Sequence, residues 1–213
     1  MAGPRIALIH ALKHSPPPIE AAFAASWPDV RLMNLLDDSL SADLARAGAL
    51  TPAMTERFLQ LGRYAAATSA DAILFTCSAF GPCIEAVAQD LKIPVLKPNE
   101  AMIEEAVESG GTVGLMATFA PTLASMPGEF PDSVSIKTCL VDGALAALDR
   151  GDADTHDRLT AQAADAVKDC DVIALAQFSL ARSAQLVAKA TGKRVLTTPD
   201  SAVRKLRRLL DRA

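Results

Sequence analysis

The sequence is poor in aromatic side chains and lacks long apolar runs. Only 4% of its 213 residues are Phe, Trp or Tyr, so a core has to be packed mainly from Ala, Leu, Val and Ile. No apolar run reaches the ~18 residues of a membrane-spanning helix, and the start of the chain lacks an apolar signal segment. A net charge of -4 argues against non-specific nucleic-acid binding. These absences predict a soluble, cytoplasmic protein that binds neither nucleic acid nor membrane.

The four cysteines, Cys77, Cys83, Cys139 and Cys170, form no C-x-x-C pair and have no histidine close by in sequence. That spacing excludes the common zinc modules, and in a cytoplasmic chain it favours free thiols over a disulfide framework. The glycine-rich motifs that hold nucleotide phosphates are also missing from the sequence. We therefore expect neither a metal nor a classical cofactor.

Short apolar runs alternate with longer helical patterns, which predicts an α/β protein with parallel sheets. One helix is expected to begin with Thr51 as N-cap and Pro52 at its first position. The predicted strands are Arg5–His10, Val30–Leu35, Ala72–Thr76, Pro94–Lys97, Thr112–Ala117, Ser135–Leu140, Val172–Ala176 and Arg194–Thr197.

The two halves of the chain repeat each other. "ADAILFTCSAF" aligns without a gap on "CDVIALAQFSL", which places Cys77 over Gln177, and "IALIHA" aligns on "VGLMAT". A shared order of such matches indicates an internal duplication of one α/β unit. The fold class expected is two pseudo-symmetric Rossmann-like lobes, each a mostly parallel four-stranded sheet flanked by helices. We assign residues 1–98 with 199–213 to the first lobe and 99–198 to the second, with an active-site cleft between them.

Candidate functional residues lie at the predicted strand ends, where open parallel sheets bind their ligands. His10, Cys77, Thr118 and Gln177 all fall at the ends of predicted strands. Cys77 also precedes a predicted helix, whose positive end favours a thiolate with a lowered pKa. The hydroxyls of Thr76 and Ser78 are placed to bind a carboxylate beside that thiol. Cys77 is the candidate catalytic group, and the alternative is a small buried hydrophobic side chain.

The stretches "ILFTCSAFG" and "VGLMATFAPT", together with the duplicated lobes, resemble the aspartate/glutamate racemase superfamily. That superfamily includes glutamate, aspartate and hydantoin racemases, maleate isomerase and arylmalonate decarboxylase. The resemblance implies a cofactor-independent enzyme that acts on a small carboxylate at the carbon next to the carboxyl group. It also implies a homodimer, since the relatives are commonly dimers. In the racemases, two cysteines face each other across the substrate.

The resemblance assigns roles to individual residues of this chain. Cys77 matches the first-lobe cysteine, and Thr118 matches the threonine that helps to bind the substrate carboxylate. Gln177 stands where the second cysteine should be. The further positions that match substrate-binding residues, all with altered side chains, are Ser78, Ala79, Phe178 and Ser179.

A two-base racemase needs a titratable group on each side of the substrate carbon, and an amide exchanges no proton at neutral pH. Gln177 therefore favours one-sided proton transfer by Cys77 over symmetric racemisation. His10 is a second catalytic candidate, because it would make Cys77 a covalent nucleophile for a hydrolase or lyase reaction. An equal alternative for His10 is a structural role, in which backbone groups at the strand end satisfy its hydrogen bonds. A third hypothesis for the whole protein is that it binds a small molecule without turnover. Phe80 and Phe178 suggest an apolar substrate substituent unless their rings face the core.

His156 follows a short polar stretch at a predicted helix start, where capping or solvent exposure is sufficient to explain it.

Overall fold

The structure is a computed structural model, and it describes residues 3–211. The chain divides into two compact units. Unit 1 runs to Glu100 and resumes at Ala202, and unit 2 is Ala101–Ser201. Residues 1, 2, 212 and 213 of the predicted first lobe lie outside the described residues.

Unit 1 is built on a sheet with strand order β2-β1-β3-β4. Its elements in chain order are β1 (Arg5–His10), α1 (Pro16–Ser26), β2 (Arg31–Leu36), α2 (Ser39–Ala47), α3 (Pro52–Ala67), β3 (Ala72–Phe75), a 3-10 turn (Ser78–Phe80), α4 (Gly81–Asp90) and β4 (Val95–Leu96). Helix α5 (Glu100–Ser109) then leads into unit 2.

Unit 2 is built on a sheet with strand order β6-β5-β7-β8. Its elements are β5 (Thr112–Ala117), α6 (Ala120–Ser125), β6 (Ser135–Leu140), α7 (Ala144–Asp149), α8 (Ala153–Ala163), β7 (Val172–Leu175), α9 (Ala184–Thr191) and β8 (Arg194–Thr197). Three 3-10 segments, Met126–Glu129, Ala164–Val167 and Phe178–Ser183, join them. Helix α10 (Thr198–Leu210) leads back into unit 1.

The predicted fold class is confirmed, because each unit has a four-stranded sheet flanked by helices and every strand pair is parallel. Strands β1, β5, β6 and β8 have the bounds that the sequence predicted. Strand β4 is shorter than expected, since it covers only Val95–Leu96. The preceding Pro94 has no N–H to donate to a ladder, although its carbonyl still accepts from Ile73.

The repeat in the sequence has a structural cause at the amino ends of the sheets. Asp71 accepts a hydrogen bond from the backbone N–H of Arg5 at 2.7 Å, and Asp171 accepts one from Thr112 at 2.7 Å. Each carboxylate therefore binds the first N–H of its unit's central strand. Charge-assisted bonds of this kind are stronger than neutral ones, which explains why an aspartate stands at both positions.

One face of the unit 1 sheet packs against α2, α3 and α4. Alternate residues of β1 and β3, Ala7, Ile9, Ile73 and Phe75, share one buried cluster with Phe58, Phe80 and Ile84. The ring of Phe58 stacks on Phe75 with centroids 5.2 Å apart and lies 4.9 Å from Phe80. This cluster supports the carboxyl end of β3, where the candidate site begins.

Unit 2 has an apolar cluster on each face of its sheet. Val113, Leu115 and Ala117 of β5 point to one cluster, and Met116 points to the other. Gly114, which lies between Val113 and Leu115 in β5, approaches the 3-10 segment Ala164–Val167 so closely that a Cβ would be 2.7 Å from Val167. Within residues 3–211, no helix is both long enough and apolar enough to cross a membrane.

Candidate active site

Two polar side chains of unit 1 meet where β1 and β3 end. Nδ1 of His10 lies 2.8 Å from Oγ1 of Thr76, and both residues are almost fully buried. They are neighbours because Ile9 pairs with Phe75, so the next residues of the two parallel strands share a face of the sheet.

The other side of the His10 ring defines its protonation state. Nε2 of His10 lies 2.9 Å from Oδ1 of Asn34, whose amide nitrogen donates to Glu20 at 2.7 Å. Because a carboxylate only accepts, Asn34 presents its oxygen to the ring, so Nε2 carries the proton. Nδ1 of a neutral ring then accepts from the Thr76 hydroxyl at 2.8 Å, in competition with the Ile9 carbonyl, which lies 3.4 Å from the same hydroxyl oxygen. Burial lowers the pKa of His10, although Asn34 and the charge of Glu20 favour the protonated form.

Cys77 follows Thr76 in an extended conformation, with φ -127° and ψ 116°. Its side chain is half-buried and packs against the cluster that contains Ala11, Phe75 and Phe80. Burial raises the pKa of the Cys77 thiol, and hydrogen bonds with the Ala79 N–H and the Ser41 hydroxyl offset this only in part. The expected lowering of the Cys77 pKa is therefore wrong, because desolvation outweighs the N–H groups of the following turn.

His10 and Cys77 begin on opposite faces of the sheet. Successive residues of a strand alternate between faces, and His10 lies opposite Thr76 in the register, not opposite Cys77. The contacts agree with this, because both ring nitrogens of His10 bind Thr76 and Asn34. A catalytic role for His10 stays a prediction, and its contacts favour positioning Thr76 over activating the thiol.

The residues after Cys77 form the short 3-10 turn Ser78–Phe80 before α4 begins at Gly81. Ser78 is half-buried and Ala79 is exposed, and both start this turn. Phe80 is fully buried against Phe58, so the structure assigns it to the core and not to a substrate substituent.

In unit 2, the equivalent strand ends are joined by a side-chain amide. Oε1 of Gln177 accepts the backbone N–H of Thr118 at 2.6 Å and the Thr118 hydroxyl at 2.8 Å. Since a backbone N–H only donates, the oxygen of the amide must face Thr118, and Nε2 points elsewhere as a donor. Thr118 was expected to help to bind a substrate carboxylate, and here its N–H and its hydroxyl both bind the Gln177 oxygen.

The two residues after Gln177 start the 3-10 segment Phe178–Ser183. Phe178 is buried, with 4% of its surface exposed, whereas Ser179 is half-buried. Their substrate contacts stay predictions, as does the role of Ser78.

The other cysteines are free and buried, as expected for structural residues. Cys83 lies in α4 with its sulfur 3.5 Å from the Thr55 hydroxyl. The expectation for His156 is wrong, since this side chain is completely buried in α8 next to Asp157 and Ser183. The helix is instead capped by Asp152, which accepts from the Thr155 N–H at 3.1 Å.

Three residues near the site were missed by sequence reasoning: Ser41, Asn34 and Glu20. Asn34 lies inside β2, and asparagine is depleted in strands, so its position was a signal that could have been used. Ser41 and Glu20 carry no such signal, because each is an ordinary polar residue of a helix.

A protein-family model described as Asp/Glu/Hydantoin racemase matches residues 14–206, which is most of the chain. A comparison with curated proteins finds no match.

Solved structures share the whole architecture at low sequence identity. Allantoin racemase from Klebsiella pneumoniae has a TM-score of 0.75 at 18% identity, over 98% of this chain and 88% of that one. Glutamate racemase from Francisella tularensis subsp. tularensis SCHU S4, in complex with D-glutamate, has a TM-score of 0.71 at 16% identity, over 100% and 82% of the two chains. Unliganded arylmalonate decarboxylase has a TM-score of 0.70 at 18% identity, over 97% and 92%. At these identities the likeness establishes the fold.

Proposed function

Because the chain belongs to the Asp/Glu/hydantoin racemase family, we propose that it is a cofactor-independent enzyme that transfers a proton at the carbon next to a carboxylate. Cys77 is the proposed acid–base group and a small carboxylate the proposed substrate. The fold of racemases and of a decarboxylase supports this class of chemistry. A cytoplasmic location belongs to the same proposal, since the four free thiols suit a reducing compartment.

The observation that carries the proposal is the position and state of the Cys77 sulfur. Cys77 is half-buried at the carboxyl end of β3, whereas Cys83, Cys139 and Cys170 are buried. Because burial raises the pKa of the Cys77 thiol, the sulfur carries its proton at neutral pH. Because a protonated thiol is a proton donor, this state supports protonation of the substrate from one side. It argues against a mechanism in which Cys77 is already a thiolate and attacks as a nucleophile.

The carbanion forms when a malonate-type substrate loses carbon dioxide and keeps the electron pair of the broken C–C bond as an enediolate. In the proposed step, the thiol then delivers its proton to that carbon. The S–H bond breaks as the new C–H bond forms, and the negative charge passes from the substrate to the sulfur. The Ala79 N–H, which hydrogen-bonds the sulfur, then faces a thiolate, and water restores the proton after product release.

The contact between Gln177 and Thr118 supports proton transfer from only one side of the substrate carbon. An amide holds no proton that titrates near neutral pH, so unit 2 offers a hydrogen-bond donor where a two-base racemase has its second thiol. We propose that Nε2 of Gln177, fixed by the two bonds that Oε1 accepts from Thr118, donates to a substrate oxygen.

Incubation in heavy water tests the proposal directly. A panel of amino acids, hydantoins and substituted malonates is followed by NMR for deuterium at the α-carbon and by circular dichroism for product handedness. We expect deuterium incorporation that Cys77→Ala lowers by about 100-fold or more, the usual contribution of a general acid. Cys83→Ala, which removes the buried thiol of the same unit, should retain the activity.

Three outcomes contradict the proposal. Undiminished exchange in Cys77→Ala removes the thiol from the mechanism. A covalent adduct at Cys77 without exchange favours the hydrolase or lyase alternative. Ligand-induced stabilisation without any product identifies a binding protein.

A further inference from the structure

Ser41 is a hydroxyl residue of α2 that lies beside the Cys77 sulfur. Its Oγ donates to the carbonyl of Ala11 at 3.0 Å. Ala11 follows His10 and Cys77 follows Thr76, and the side chains of His10 and Thr76 lie 2.8 Å apart where the two strands end. Ala11 and Cys77 also pack in the same apolar cluster. The Ser41 hydroxyl is therefore bonded to a residue of the cluster against which Cys77 packs, and it contributes a hydrogen bond that lowers the pKa of the Cys77 thiol.

A single hydroxyl proton cannot serve the Ala11 carbonyl and the sulfur together. While the thiol is protonated, the S–H donates to Oγ of Ser41 and the Ser41 O–H donates to Ala11. When the sulfur loses its proton it becomes an acceptor only, and rotation about the Cβ–Oγ bond of Ser41 turns the O–H toward it. Hydrogen bonds to an ionised acceptor are about twice as strong as neutral ones, so the rotation is favourable.

We propose that Ser41 is a thiolate-stabilising residue, whose hydroxyl changes its acceptor from the Ala11 carbonyl to the Cys77 sulfur when the sulfur gives up its proton. The effect on turnover rests on the proposed function, whereas the effect on the thiol itself does not. Together, the Ser41 hydroxyl and the Ala79 N–H give the thiolate two donors without any positive charge.

The helix that carries Ser41 is held in place by ion pairs. Arg57 of α3 bonds Asp37 at 2.5 Å and Asp43 at 2.6 Å, and these aspartates flank Ser41 in sequence. Leu40, next to Ser41, is fully buried in the apolar cluster. The hydroxyl is thus placed before the reaction, and only its torsion has to change.

No charged side chain competes for control of the thiol among the described residues. Burial, the Ala79 N–H and the Ser41 hydroxyl are the causes of the Cys77 pKa shift. Among the charged groups around Ser41, Arg57 of α3 pairs with Asp43 of α2 and with Asp37, which precedes that helix. The ring of His10 is bound to Thr76 and Asn34.

The test measures how the rate at which iodoacetamide alkylates Cys77 depends on pH, with the modified peptide quantified by mass spectrometry. Only the thiolate reacts, so the profile reports the pKa of this sulfur without any substrate. We expect Ser41→Ala to raise the midpoint by about one pH unit and to slow alkylation about tenfold below it. Ser41→Thr, which restores the hydroxyl, should return the profile toward that of the wild type.

Thr55→Val is the matched control, because it removes a hydroxyl that lies 3.5 Å from the sulfur of Cys83 in the same unit. It should leave alkylation of Cys77 unchanged, and Trp27 fluorescence verifies that each variant is folded. The proposal is overturned if Ser41→Ala keeps the wild-type profile or if Ser41→Thr behaves like Ser41→Ala.

The two proposals fail separately. A raised midpoint in Ser41→Ala, without deuterium exchange in any protein, refutes the enzymatic function alone. The role of Ser41 alone is refuted if deuterium exchange depends on Cys77 but Ser41→Ala leaves the pH profile of Cys77 alkylation unchanged.

Discussion

Truncation of Phe80 tests whether the turn after Cys77 is anchored in the core. Phe80 is completely buried, and its ring lies 4.9 Å from Phe58. Phe80→Ala removes a buried aromatic side chain, which costs about 3–5 kcal/mol of unfolding free energy. Phe80→Leu keeps most of the volume but loses the aromatic contact, so about 1–2 kcal/mol is expected.

The single tryptophan gives an assay for this unit alone. Trp27 belongs to unit 1 and is 8% exposed, so its fluorescence follows urea unfolding of the unit that contains Phe80. For an m-value of about 2 kcal/mol/M, Phe80→Ala should lower the midpoint by about 2 M and Phe80→Leu by about 0.5–1 M. Tyr64→Leu, which changes an aromatic residue that is 58% exposed, should shift it little.

The reasoning is refuted if Phe80→Ala unfolds at the midpoint of the Tyr64→Leu control. It is also refuted if Phe80→Leu leaves the midpoint unchanged and raises KM, because that pattern belongs to a ring that contacts substrate.

Two further predictions concern the hydrogen bonds of buried or repeated residues. Asp171→Ala should cost about 1–2 kcal/mol by far-ultraviolet circular dichroism in urea, since it leaves the Thr112 N–H without its carboxylate. Asp169→Ala, which breaks an exposed ion pair with Lys137, should lower the stability clearly less, and equal losses would contradict the strand-start role of Asp171. His10 has a lowered pKa in the folded state, so the unfolded chain takes up the proton first and stability should fall as pH drops below about 6.5. His10→Gln should flatten that slope, and an unchanged slope between about pH 6.5 and 5 would show that His10 does not cause it.

Strand positions could be predicted because they depend on local pattern. Strands β1 and β5 are continuous apolar runs that are buried on both faces, which is typical of parallel sheets. The alignment of Asp71 with Asp171 was also visible in the sequence. The bonds that these carboxylates accept from the N–H groups of Arg5 and Thr112 could be recognised only once the pairing of the strands was known.

Chemical states could not be predicted, because they depend on side chains from distant parts of the chain. The helix after Cys77 suggested a thiolate, but the apolar cluster around the sulfur desolvates it, and the sequence does not show which residues form that cluster. His10 was paired with Cys77 because both fall at strand ends, whereas the alternation of faces directs its ring to Thr76 and Asn34. His156 looked like a surface residue because its neighbours in sequence are polar.

The bond from Arg5 to Asp71 has an effect at the far end of the same strands. Sliding β1 by one residue against β3 would send every side chain to the other surface of the sheet. The imidazole of His10 would lose Thr76 as its partner, and Ala11 would shift relative to Cys77. The carboxylate of Asp71, which lies at the other end of these strands, thereby helps to fix the register on which two arrangements depend. These are the contact of the His10 imidazole with the Thr76 hydroxyl and the position of the Ser41 hydroxyl near the Cys77 thiol.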